Sequence, residues 1–222
     1  MPPLVTFSQF RFPAGARFWA FRQMGVFARS MRDIPGLAFW KLLGTGARFG
    51  GATPDWRRYA FLGVWDDASH ADTFWTGSEV MTRYRARAES SITHRLLVTR
   101  SNGSWDGQRP FGQDAVAPSK GPVAVLTRAA LRPSRQLVFW RYATAVEPEI
   151  ARASGLVSAL SIGELPILRS GTFSVWEGAE ALQAFVRQPA HLEALRARSS
   201  ESLYTEELFA RFSVLGTDTE GH

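Results

Sequence analysis

Phe61-Leu62-Gly63-Val64-Trp65-Asp66 and Phe173-Ser174-Val175-Trp176-Glu177 read as two copies of one strand end, apolar and closing on Trp followed by an acid. Outward from this pair the correspondence continues. Gly36-Leu37 matches Gly155-Leu156 upstream, and Arg85-Ala86-Arg87 matches Arg196-Ala197-Arg198 downstream. An aromatic segment, Phe18-Trp19-Ala20-Phe21 or Phe139-Trp140-Arg141-Tyr142, precedes each copy. Each half opens on an apolar strand, Leu4-Val5-Thr6-Phe7 or Val123-Ala124-Val125-Leu126-Thr127. Residues 4–100 and 122–216 therefore follow one script, and the positions where the halves differ are where chemistry is to be sought.

Each half reads as β-α-β-β-α-β. In the first, strands are expected over Leu4–Phe12, Gly36–Leu43, Arg57–Trp65 and His94–Arg100, with helices over Ala16–Met31, Ala68–Thr76 and Val80–Glu89. Phe18, Phe21, Met24 and Phe27 recur near helical spacing in the first of these helices. In the second, strands are expected over Val123–Leu131, Leu156–Gly163, Ser170–Trp176 and Leu208–Leu215. Helices are expected over Arg135–Ala145 (extending past Pro148), over Ala179–Arg187, and from Pro189 to about Ser200. This order is the ferredoxin-like split-βαβ plan, with helices on one sheet face. Two such units can cover their bare faces by packing sheet on sheet, so the expected fold is α+β, two tandem repeats forming a pseudo-two-fold, dimeric α/β-barrel type of core. The expected divisions are 1–100, a Gly- and Pro-containing linker at 101–121, 122–216, and a tail at 217–222.

The 222 residues are 45% hydrophobic and 21% charged, enough for a substantial core. Eight Trp and sixteen Phe suit packing or a pocket for a large apolar ligand. With no Cys, disulfides, thiolate metal sites and Cys nucleophiles are excluded. Neither a signal peptide nor an apolar run long enough to span a bilayer is recognisable, so a cytoplasmic protein, peripheral to the inner membrane face at most, is expected. The net charge is +6, but the Arg residues are scattered among acids. Nucleic acid is therefore not expected as a partner, whereas an anionic lipid surface remains compatible.

Gly44-Thr45-Gly46 with Gly50-Gly51 lacks the strand–glycines–helix order of a phosphate loop, because Pro54 and a strand follow. It reads as a hairpin loop that could cover a cavity mouth. No Ser-His-Asp order and no His-Glu-x-x-His motif is present. Of four His, His222 is terminal, His70 lies among Asp66, Asp67 and Asp72, and His94 opens a strand. His191 follows Pro189 on a helix, where Ala194 and Leu195 share its face. The matching position in the first half is Val80, so one half carries imidazole where the other is apolar. A lone imidazole suffices as an axial ligand to heme iron, with Glu193 or a backbone carbonyl as acceptor for its other nitrogen; a buried structural histidine is the alternative.

Several longer runs carry a family resemblance. They are Phe10-Arg11-Phe12, Trp19-Ala20-Phe21-Arg22-Gln23-Met24, Pro35-Gly36-Leu37-Ala38-Phe39-Trp40-Lys41-Leu42, and Ser104-Trp105-Asp106-Gly107 with Pro110-Phe111. In the second half they are Val125-Leu126-Thr127-Arg128-Ala129, Ile162-Gly163-Glu164 and Glu206-Glu207-Leu208-Phe209-Ala210-Arg211-Phe212. Over nearly its whole length the chain resembles the spheroidene monooxygenase family. The resemblance implies a heme b oxygenase that takes O2 and electrons from a donor such as a ferredoxin. It would oxidise a carotenoid at C-2, to a hydroxyl and then a ketone. It also implies the fold of chlorite dismutases and aldoxime dehydratases, with His191 as proximal iron ligand. Arg128 is the candidate distal donor or propionate partner, and Trp140, Phe173, Trp176, Phe185 and Leu195 are candidate heme-pocket walls. A homo-oligomer is compatible with the family. The rival readings are a peroxidase-like or aldoxime-dehydratase-like enzyme with a smaller substrate, and a non-catalytic module holding heme, a lipid or nothing.

Overall fold

In the computed structural model, which describes residues 3–51, 53–112, 117, 120–165, 169–200 and 202–221, both halves adopt the expected plan. The first half comprises β1 (Leu4–Arg11), α1 (Arg17–Ser30), β2 (Leu37–Gly46), β3 (Pro54–Trp65), α2 (Ala68–Gly77), α3 (Glu79–Arg85) and β4 (Ser90–Gly103). The second comprises β5 (Val123–Leu131), α4 (Gln136–Ala151), β6 (Leu156–Leu165), β7 (Arg169–Trp176), α5 (Ala179–Val186), α6 (Pro189–Ser200) and β8 (Tyr204–Gly221). Local chemistry sets several boundaries. The Asp67 carboxylate accepts from the Ser69 N–H at the start of α2, and the Ser78 hydroxyl accepts from Met81 at the start of α3. Gly36 and Gly155, which precede β2 and β6, both have positive φ, +71° and +73°. A Cβ would lie 2.2 Å from the His70 ring at the first and 2.6 Å from Ala181 at the second.

The eight strands close into an antiparallel barrel in the order β1-β3-β2-β6-β7-β5-β8-β4. The seams are unequal. β4 and β8 pair from Ser90↔Gly221 to Gly103↔Leu208, whereas β2 and β6 meet only at Gly44↔Gly163 and Thr45↔Ile162. Side chains alternate across each strand. One set fills the barrel, with Phe7 of the first repeat stacked on Phe173 of the second at 3.7 Å. The other set faces the helices outside.

Two expected divisions shift. The tail at 217–222 is strand as far as Gly221, because β8 continues beside β4; His222 lies outside the described residues. The linker at 101–121 is partly barrel. β4 runs to Gly103, and Trp105 and Phe111 are fully buried in the interior core. Turn-forming Gly and Pro mark a change of direction, but two aromatics inserted between sheets make that segment part of the core.

Candidate functional site

The helix layers of the two repeats are filled differently. In the first, α1 and α3 sit on the sheet through Phe10, Phe27, Phe61 and Trp65, with Tyr84 edge-on to Phe10, Phe12 and Phe27. In the second, a cavity of about 870 Å³ lies between α4, α6 and the sheet, towards the upper end of the ~300–1,000 Å³ typical of small-molecule sites. Strand register explains the difference. Phe10 faces Tyr59 on β1–β3, and the matching pair on β5–β7 is Ala129 and Ser170. Leu42 faces Phe61, and the matching pair on β6–β7 is Ser161 and Thr172. Four bulky side chains under the first helix layer thus become small ones under the second. Tyr84, counted from Trp65, corresponds to Leu195, counted from Trp176.

His191 lines this cavity on the third residue of α6. Its ring lies 4.8 Å from Phe185, which in turn lies 5.0 Å from Trp176. The imidazole has no hydrogen-bonding partner among the described residues. Burial lowers its pKa, outweighing the nearby Glu149 carboxylate, so it is held in the neutral, ligating form. Glu193 is exposed. The carboxylate beside His191 is instead Glu149 of α4, which accepts from the Ala190 and His191 backbone N–H groups at 2.9 and 3.2 Å. It fixes the N-terminus of α6, where a negative charge is favourable. Trp140, Trp176, Phe185 and Leu195 all border the cavity. The loop between β2 and β3 closes over it. Phe49 packs on the second repeat's helix-side core, and the Gly50 N–H donates to Ser161 Oγ at 2.8 Å. The cavity continues to Phe21, Met24 and Trp56 of the first repeat.

Two expected site residues are not brought to this group. Phe173 points into the barrel, since on β7 it alternates with Ser174 and Trp176. Arg128 borders the cavity from β5, but its guanidinium has the parity of Ala124 and Leu126 and enters the barrel end. There it pairs with Glu206, and with Glu164 and Asp106 at 3.3 Å each, over the Trp105 ring at 5.6 Å. Lys41 and Arg169 complete this closed group of charges. With every side committed to carboxylates, Arg128 is a structural cation rather than a donor to a cavity ligand. His94 is also an interior residue, its Nδ1 2.9 Å from Thr217 Oγ1, and it does not border the cavity.

Glu206 sets an acid limit on this structure. Burial alone would raise its pKa, but hydrogen bonds from Gly107 N–H, the Ser104 hydroxyl, Arg128 and Asp106 N–H bring it down from 4.5 to about 2. A depressed carboxylate contributes stability that is present above its unfolded pKa and lost as pH falls through the folded one. Acidification from 4.5 towards about 2 is therefore expected to unfold the barrel end, followed by tryptophan fluorescence. Glu206→Gln should flatten that limb; an unchanged acid profile would assign the loss to other groups.

Fold and geometry make this a single-chain, dimeric α/β-barrel type protein with one large cavity lying chiefly under the second repeat's helices. Its fold matches that of aldoxime dehydratase crystallised with butyraldoxime, with a TM-score of 0.64 over 99% of this chain and 83% of that one, at 12% identity. No protein-family profile matches. Spheroidene monooxygenase from Rhodobacter capsulatus is 34% identical over 97% of this chain and 92% of its own length. The Cereibacter sphaeroides protein of that name is 35% identical over 96% of this chain and 67% of its own length. The chain belongs to the spheroidene monooxygenase family, and is on that ground an oxygenase.

Proposed function

We propose that this oxygenase binds heme b in the second-repeat cavity, where His191 would hold its iron, and hydroxylates a long apolar polyene, a carotenoid such as spheroidene at C-2. O2 and an external donor of the ferredoxin type would supply oxygen and electrons. The observation that carries the reading is an imidazole kept neutral by burial, without a hydrogen-bond partner among the described residues, on the wall of a cavity that lies chiefly under the second repeat's helices. Among the described residues no three His, Asp or Glu side chains gather as a metal site; an iron held through His191 would need further ligands, such as a porphyrin's. The donor set fits the group. His191 offers one nitrogen, Trp140, Trp176 and Phe185 offer apolar walls, and Thr127 and Thr172 bond each other on the floor at 2.8 Å.

Heme, when bound, supplies the activation of O2 and the redox steps. The chain's residues do the rest. Glu149 fixes the helix end that presents His191, burial keeps its imidazole unprotonated, and Phe49, Gly50 and Gly51 line the cavity from the β2–β3 loop. One atom of O2 enters a C–H bond of the substrate and the other leaves as water, with two electrons from the donor and two protons from solvent. The cavity's apolar arm towards Phe21 and Trp56 favours a long chain over the small substrate of an aldoxime-dehydratase-like enzyme. Phe21 and Trp56 are half exposed and ring-packed at 5.3 Å. Together with the net charge of +6 they suit uptake of a membrane-dissolved substrate at an anionic leaflet. No helix among the described residues is long and apolar enough to cross a membrane.

The test is an absorption spectrum of hemin-reconstituted protein beside His191→Ala. We expect a Soret band in the wild type that is lost or displaced in the variant, with carotenoid hydroxylation lost alongside. A folded wild type without a Soret band would overturn the heme reading. An unchanged band in the variant would remove His191 from the iron, and heme binding without turnover would leave a carrier.

A further inference from the structure

We infer that Arg211 and Arg100 form a carboxylate-binding subsite at the edge of the second-repeat cavity. Identifying its ligand as the propionates of a porphyrin rests on the proposed function; the subsite itself does not.

The two repeats differ in charge at one register. Leu4 and Val123 open equivalent strands and pair with Leu97 and Ser213, so Arg95 on β4 is the counterpart of Arg211 on β8. Both lie on the helix-facing side, alternating with interior residues. In the first repeat Arg95 is neutralised twice. Asp72 of α2 bonds it directly, and Asp218 of β8 lies 3.6 Å away. In the second repeat both acids are gone. Asp72 stands seven residues after Trp65, and the residue seven after Trp176 is Gln183. The counterpart of Asp218 is Asn102. Arg95 sits across from Gly216, while Arg211 sits across from a second cation, Arg100. Where the first repeat has one Arg and two Asp, the second has two Arg with an Asn and a Gln.

Arg211, Arg100 and Asn102 all border the large cavity. Arg211 Nε is buried and has no hydrogen-bond partner, and neither guanidinium has an acidic partner among the described residues. Like charges directly across a strand pair are destabilising, and a buried, unsatisfied N–H of a charged group costs more than a neutral one. The equivalent register of the first repeat avoids both. An arrangement that keeps both beside a cavity suits a ligand bringing the missing negative charge. Guanidinium's fork favours a carboxylate.

The experiment is a titration of the protein with hemin and with hemin dimethyl ester, which lacks the carboxylates, read by quenching of tryptophan fluorescence. Three proteins are compared: wild type, Arg211→Gln, and Gln183→Asp, an exposed substitution that restores the first repeat's acid beside Arg211. The wild type is expected to bind the diacid at least tenfold more tightly than the ester, and both variants to lose that preference with ester binding unchanged. In thermal melts without ligand, Gln183→Asp should raise Tm. Equal wild-type affinity for the two porphyrins would overturn the subsite and leave the heme reading standing. Should neither porphyrin bind, the heme reading fails and dodecanoate becomes the probe. Binding lost in both variants would uphold the subsite, and no binding would overturn it.

Discussion

Writing the first repeat's side chains into the second, as Ser170→Tyr with Thr172→Phe, is expected to weaken the proposed heme binding strongly while leaving a folded barrel. Tyr59 and Phe61 hold the matching positions under α1, and their rings occupy the space that is cavity on the other side. Overpacking a filled core costs ~1–3 kcal/mol, but here the new rings enter existing space. The hydrogen bond between Thr127 and Thr172, 2.8 Å long, would be lost at a cost of ~1 kcal/mol, offset by the apolar surface covered. Stability should thus change little, while hemin affinity should fall by at least ~100-fold, or about 2.8 kcal/mol. A thermal melt and a hemin titration on the same sample decide it. Wild-type affinity in the filled variant would remove the cofactor from this cavity.

Arg128→Leu should act on stability first, against its expected role as a distal donor. The guanidinium is 3% exposed and meets three carboxylates. Removing one partner of a buried ionic group leaves the others uncompensated, typically ~3–5 kcal/mol of destabilisation. In urea at neutral pH the midpoint should drop accordingly. The deficit should narrow as pH falls towards about 2, where Glu206 of the wild type is itself protonated. A variant with an unchanged midpoint and lost turnover would return Arg128 to the chemistry.

These two expectations differ from the reading of sequence because a strand's two faces lead to different compartments. Arg128 and Thr127 are neighbours, yet the guanidinium enters the barrel end to pair with Glu206 while the Thr127 hydroxyl bonds Thr172 on the cavity floor. Phe173 and Trp176 both count as candidate pocket walls in the sequence, but alternation sends Phe173 to the interior, stacked on Phe7. Glu149 and Arg211 gave no local signal. The first acts on a helix some forty residues away in the chain, and the second shows its uncompensated charge only when matched with Arg95. The contrast of Ser170 and Thr172 with Tyr59 and Phe61 was present in the repeat, but it acquires meaning only once both are seen to face a helix layer.

Read without contacts, the chain already carried the duplicated βαββαβ plan and the helix on which His191 lies. Periodicity, turn residues and the matched repeat ends are local properties that survive without contacts. Three features emerge with strand pairing alone: the place of the cavity, the burial of Arg128 inside the barrel while Arg211 borders the cavity, and the plugging of the core by Trp105 and Phe111 of the joining segment. Those outcomes depend on register and on which side chains share a compartment. Both are set when strands distant in the chain pair and close the barrel.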